Sequence, residues 1–110
     1  MRNAVIIKTS GQPEVVDLDQ QDNELAYLQG VVGGYIEAVD VRDDMTLWCN
    51  EEGKIMGLVP NYNAMEKTSA HDVLMPGDII AGNVIITGGT GDEGETLGLS
   101  EAQVLELTTA

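Results

Sequence analysis

The 110 residues suit a single domain, residues 1–110, and leave no room for a second core of useful size. Cys49 is the only cysteine and His71 the only histidine, which excludes an internal disulfide and a Cys/His zinc cluster. Five Lys+Arg against 19 Asp+Glu give a net charge of −14, a field that repels phosphate polymers and argues against ordinary DNA or RNA binding.

Ala4 to Thr9 is a β-branched apolar run, and Ser10, Gly11, Gln12 and Pro13 punctuate it before Glu14 to Leu18 resumes in an extended pattern. This pattern predicts a first hairpin. Leu25, Leu28 and Val32 then recur at helical spacing behind Asp22 or Asn23 as N-cap, which predicts a helix from Asn23 to Val32, closed by Gly33 and Gly34. Tyr35 to Val41 and Met45 to Asn50 read as a second hairpin around Arg42, Asp43 and Asp44. A three-residue connection sets Val41 opposite Met45, Val39 opposite Leu47 and Glu37 opposite Cys49, so an apolar face ends in one carboxylate. In that register Ile36 and Trp48 fall on the opposite face, and two apolar faces both require cover, which predicts self-association.

Asn50, Glu51, Glu52 and Gly53 suit a type I turn closed by a glycine at positive φ, and Lys54 to Leu58 is predicted to return as the third strand of a meander. The pattern lapses from Pro60 to Gly77, apart from a helical turn at Tyr62 to Lys67. Asp78 to Thr87 reads as one buried strand with a bulge or close backbone approach at Gly82. An acidic glycine loop, Gly88 to Gly98, leads to a capping box of Ser100 and Gln103 and a short terminal helix to about Leu107. Hairpin-length connections outnumber crossovers. The expected fold is therefore α+β: a small, mainly antiparallel sheet with one central helix on a face and a short C-terminal helix.

The chemistry-bearing patterns are sparse. Gly88-Gly89-Thr90-Gly91 has the composition of a phosphate loop without the Lys-Ser/Thr pair or the helix that such a loop needs. Asp17, Asp19 and Asp22 lack the glycine and the terminal glutamate of a calcium loop. His71 beside Asp72 has no marked nucleophile, and Cys49 on an apolar strand face reads as a small hydrophobe. No metal or other cofactor is expected.

The remaining concentration of unusual residues is Gly33-Gly34-Tyr35-Ile36-Glu37, Cys49-Asn50-Glu51-Glu52-Gly53-Lys54, Pro60-Asn61, and Gly82 within the late strand. With these motifs the chain, from Ala4 to Leu105, resembles the phage and mobile-element family called domain of unknown function 3846. The resemblance implies phage or mobile-element origin and carries no activity. Physically, Gly34, Tyr35, Glu37, Asn50, Lys54 and Asn61 have the residue types that could line a small polar ligand pocket. Turn chemistry alone would ask for most of the same types, with Glu37 paired to Lys54.

No nucleophile, metal cage or cofactor fingerprint is present, so a non-enzymatic binding protein is expected, although a hydrolase using Glu37 as general base stays open. Family context suggests a counter-defence factor that sequesters a small anionic host signalling nucleotide. The alternative is an acidic interaction protein, such as a DNA mimic, that blocks a basic or nucleic-acid-binding host enzyme. No pattern of a leader and no apolar run of about 20 residues is visible, which makes the expected location cytoplasmic, with a homo-oligomer as the expected state.

Overall fold

The first hairpin forms where Ser10 to Pro13 interrupt the apolar run. In the computed structural model, which describes residues 1–109, β1 (Asn3–Ile7) and β2 (Glu14–Asp17) pair antiparallel, with Val5 opposite Val15 and Ile6 opposite Glu14. The second hairpin joins β3 (Ile36–Arg42) to β4 (Met45–Asn50), with Val39 opposite Leu47 and Glu37 opposite Cys49 as the apolar alternation dictates. Its turn end differs from the expectation. Asp40 faces Thr46 and Arg42 faces Met45, so Val41 is the extra residue of a bulge and not the partner of Met45. The bulge keeps Val41 in the core while Arg42 stays half-buried.

The two hairpins are joined by β5 (Val84–Gly88), which runs antiparallel to both β1 and β4 in a sheet of order β2-β1-β5-β4-β3. The expected strand at Lys54 to Leu58 does not form. That segment coils on itself: the Met56 amide donates to the Glu52 carbonyl, Gly57 to Lys54 and Leu58 to Gly53. A strand beside β4 is covered on both faces, and Val84-Ile85-Ile86-Thr87 can fill both, whereas Lys54 and Gly57 cannot. Gly53 also departs from the expectation of a positive φ. Its need for glycine is steric, because a Cβ there would stand 3.0 Å from the Ala81 carbonyl oxygen. The run from Asp78 to Thr87 is not one strand either: Gly82, at φ +87°, separates a short bridge of Ala81 to Pro60 from β5.

Helices cover both sheet faces. α1 (Glu24–Val32) is capped by the Asn23 side chain and ended by Gly33 in the left-handed conformation. Its Leu28, with Tyr27 and Val31, packs on Ala4, Ile6, Ile85, Ile36 and Trp48. The cover that Ile36 and Trp48 require thus comes from within the chain, which removes the reason for expecting a second copy there. The opposite face carries α2 (Tyr62–Thr68) and α3 (Glu101–Thr108), whose Ala64, Met65 and Leu107 close over Val5, Ile7, Leu47, Val84 and Ile86. Ser100 and Gln103 form the expected capping box of α3. The fold is α+β, with the sheet between two helical layers. No helix among the described residues is long and apolar enough to cross a membrane.

The glycine loop is a packing device. A Cβ on Gly88 would overlap the Gly98 carbonyl, and one on Gly89 would come within 2.5 Å of the Asp43 carbonyl oxygen. Gly88 and Gly89 are there to let three backbone segments meet closely.

One side chain joins these layers. Asn61, fully buried, donates from Nδ2 to the carbonyls of Ile7 and Gly82, 2.9 Å each, and its Oδ1 accepts the Ala64 amide as the N-cap of α2. Asn61→Ala leaves three buried backbone groups without a partner, so it should destabilise the fold by about 2–4 kcal/mol. The exposed neighbour Tyr62→Ala should stay within about 0.5 kcal/mol of the parent. Urea denaturation of both variants checks this, and near-equal stabilities would remove Asn61 from its role as the pin.

Candidate functional site

The ends of β3 and β4, the turns after β4 and the segment before Gly82 enclose a small cavity of about 90 Å³. Glu37, Asn50 and Lys54 line it, with Cys49, Gly53 and Asp78. Three of the six residues singled out from the sequence are therefore brought together. Gly34, Tyr35 and Asn61 do not line the cavity. Tyr35 is 68% exposed, Gly34 lies against the Asn50 amide, and Asn61 is committed to the core pin described above.

Asn50 has structural partners as well. Its Nδ2 donates to the Val32 carbonyl at 3.2 Å and its Oδ1 accepts the Glu52 amide at 2.8 Å, so it clamps the end of α1 onto the turn after β4. Lys54 pairs with Asp78, not with Glu37. The hydrogen bond between them lifts the Lys54 ammonium above its ordinary range and holds the Asp78 carboxyl below its own, and Asp78 also accepts the Ile79 amide. Asp78 was not among the residues expected at the site. Its role depends on a fold that returns the chain to Lys54 across 24 positions, and no local spacing signals that.

The cavity has little room and no free cation. Small-molecule sites usually offer roughly 300–1,000 Å³. Here one ammonium, already paired, faces the carboxylates of Glu37, Glu51 and Asp78. A nucleotide-sized anion would be excluded by volume and repelled by charge.

The other motifs resolve into structure. Asp17 accepts amides from Arg2 and Asp19, and Asp19 pairs with Arg2, so the aspartates around the turn Leu18–Gln20 serve the approach to α1. His71 and Asp72 lie exposed on a short turn. Among the described residues no group of three or more His, Cys, Asp and Glu is placed to hold a metal ion.

Cys49 is buried, and its Sγ lies 3.7 Å from the Glu37 carbonyl oxygen and 3.9 Å from Glu37 Oε1. Burial first, then the Glu37 charge, push its thiol up to about 12. The folded thiol therefore stays protonated where the unfolded one ionises, and native stability should decline as pH rises above the ordinary thiol range toward 12. At pH 8, alkylation by iodoacetamide should be at least about a hundredfold slower in the native protein than in urea, and Glu37→Gln should speed it. Equal native and unfolded rates would show that the thiol is neither buried nor held neutral.

The chain has counterparts at the level of family only. No curated protein and no solved structure matches it. The family model described as "Domain of unknown function (DUF3846)" matches residues 1–110, the whole chain, and the protein belongs to that family.

Proposed function

We propose that this protein is a non-enzymatic acidic interaction protein that docks on a basic or nucleic-acid-binding enzyme of a host cell and blocks it. The observation that carries this reading is one stretch of chain. Ile55 is 86% exposed, and Met56, Val59 and Tyr62 are also more than half exposed, while Glu51, Glu52 and Glu66 accompany them on the surface. Four large apolar side chains in water between residues 55 and 62 are unusual for a monomer surface, and an acidic setting suits a partner that is apolar and basic.

The charge distribution adds support. Arg2, Arg42 and Lys54 are engaged in ion pairs, so they are not available to offset the other carboxylates that make up the net −14. Asp43 and Asp44 stand at one end of β4, with Glu51 and Glu52 at the other. This spacing suits patches of charge around an apolar contact better than a continuous row copying duplex phosphates. Sequestration of a small signalling nucleotide at Glu37, Asn50 and Lys54 finds less support in a cavity of about 90 Å³. The host setting rests on the implied phage or mobile-element origin.

A photoreactive side chain at position 55 tests the proposal in host lysate. Cross-links to a basic protein are expected, fading between about 50 and 300 mM salt. The pair Glu51→Gln, Glu52→Gln should weaken them several-fold, and Lys54→Ala should leave them intact or strengthened. Retention of a host nucleotide that Lys54→Ala abolishes, without any such cross-link, would overturn it.

A further inference from the structure

Gly30 lies in the interior of α1, where glycine costs about 0.5–1 kcal/mol relative to alanine. Nothing in the fold asks for it. Its φ is not left-handed, and a Cβ built there meets no atom within 4 Å. What the missing side chain leaves open is a groove between α1 and the end of β1. The groove consists of two concavities, of about 520 and 370 Å³, which share Gly30, Val31 and Asn83. Either is large enough for a small organic molecule.

The polar groups in this groove have spare capacity, unlike those of the cavity beside Lys54. Arg2, Arg42 and Lys54 are in ion pairs and Lys67 donates to the Thr109 carbonyl at 2.6 Å, whereas Lys8 has no ion pair or hydrogen bond among the described residues. The Asn83 Oδ1 accepts the Thr9 amide at 3.0 Å, which orients the side chain and leaves its NH₂ with no acceptor among the described residues. Around these two donors the walls are apolar or aromatic: Ile6, Val31 and the half-buried Tyr27. Glu14 also lines the groove and opposes a second negative charge on any occupant.

We propose that this groove binds a small molecule with a flat apolar body and a single anionic group. The body lies over Gly30 between Tyr27 and Val31, and the anion is held by the Lys8 ammonium and the Asn83 amide. The position over Gly30, Tyr27 and Val31 lies in the larger concavity; the smaller one reaches Leu58 and Val59 and so borders the docking surface proposed above, but the anion site at Lys8 and Asn83 does not depend on that reading.

Two fluorescent probes test it on the full chain: anilinonaphthalene sulfonate, a flat monoanion, and phenylnaphthylamine, its uncharged relative. Saturable binding of the sulfonate is expected, with amide shifts confined to the neighbourhood of Lys8, Tyr27, Gly30 and Asn83. Lys8→Gln should weaken the sulfonate about tenfold and leave the uncharged probe unchanged. Gly30→Leu should abolish both. Gly30→Ala, which should raise the melting temperature as a better helix former, guards against misfolding and should reduce binding without loss of structure. The proposal fails if neither probe binds saturably, if Gly30→Leu leaves binding intact, or if Lys8→Gln weakens both probes equally.

Discussion

The fold depends on the insertion of β5 between two hairpins that could each form alone. β1–β2 and β3–β4 are local structures with short connections, but neither presents a complete sheet until Val84–Gly88 pairs with both. All five residues of β5 are buried, so the strand supplies side chains to both helical layers at once. Closing the sheet this late in the chain requires long loops to be ordered first, which is entropically costly and needs a fixing interaction at the join. Asn61 provides one, because its amide bonds the end of β1 and the approach to β5 with the same nitrogen. The connection that carries Asn61 and α2 is therefore part of how the sheet closes, although by composition it reads as an irregular loop.

The same economy governs charge. With five basic residues against 19 acidic ones, each cation that is paired joins parts of the chain far apart in sequence. Arg2 ties the start of β1 to Asp19 and Glu24 at the head of α1, Arg42 ties β3 to Glu106 on α3, and Lys54 ties its turn to Asp78. Solvent screens exposed pairs of this kind, so their main effect is to hold registers and not to supply stability. The unpaired carboxylates have a further consequence at the sheet edges. β2 carries Glu14 and Asp17, and β3 carries Glu37 and Asp40, which oppose pairing with a second copy through the open edges.

What could be read from the sequence follows the range of the interactions involved. The caps at Asn23, Gly33 and Ser100 act over three or four residues and are legible, and so is the second hairpin's register from Glu37 opposite Cys49 to Val39 opposite Leu47; the bulge at Val41, which shifts its turn end, is not. Lys54 to Leu58 resembles a strand in sequence because its alternation is short and the competitor for the β4 edge lies some thirty residues further on. The split of Asp78 to Thr87 at Gly82 was half legible: the glycine announced an interruption but not that the chain would leave the sheet there. The partner of Lys54 and the openness of the groove at Gly30 depend on contacts between distant segments. No local spacing encodes them.

Asn50 and Asn61 show why polar residues at turns mislead a search for function. A buried amide beside a turn or a helix end is what a binding site needs, and it is also what a backbone interruption needs, since both require donors and acceptors at fixed positions. Residue type and spacing cannot separate the two. Hydrogen-bond satisfaction helps: Asn61 spends both N–H donors on carbonyls of the fold and caps α2 with its oxygen, and Asn50 is fixed at both ends by the Val32 carbonyl and the Glu52 amide, which leaves it at most one N–H for a ligand. Lys8 and Asn83 are less conspicuous in sequence, yet they keep donors unspent beside a helix whose glycine has no structural reason. In a small fold that leaves no buried side-chain polar atom without a partner among the described residues, unspent donors at a concave surface are the more informative sign of recognition.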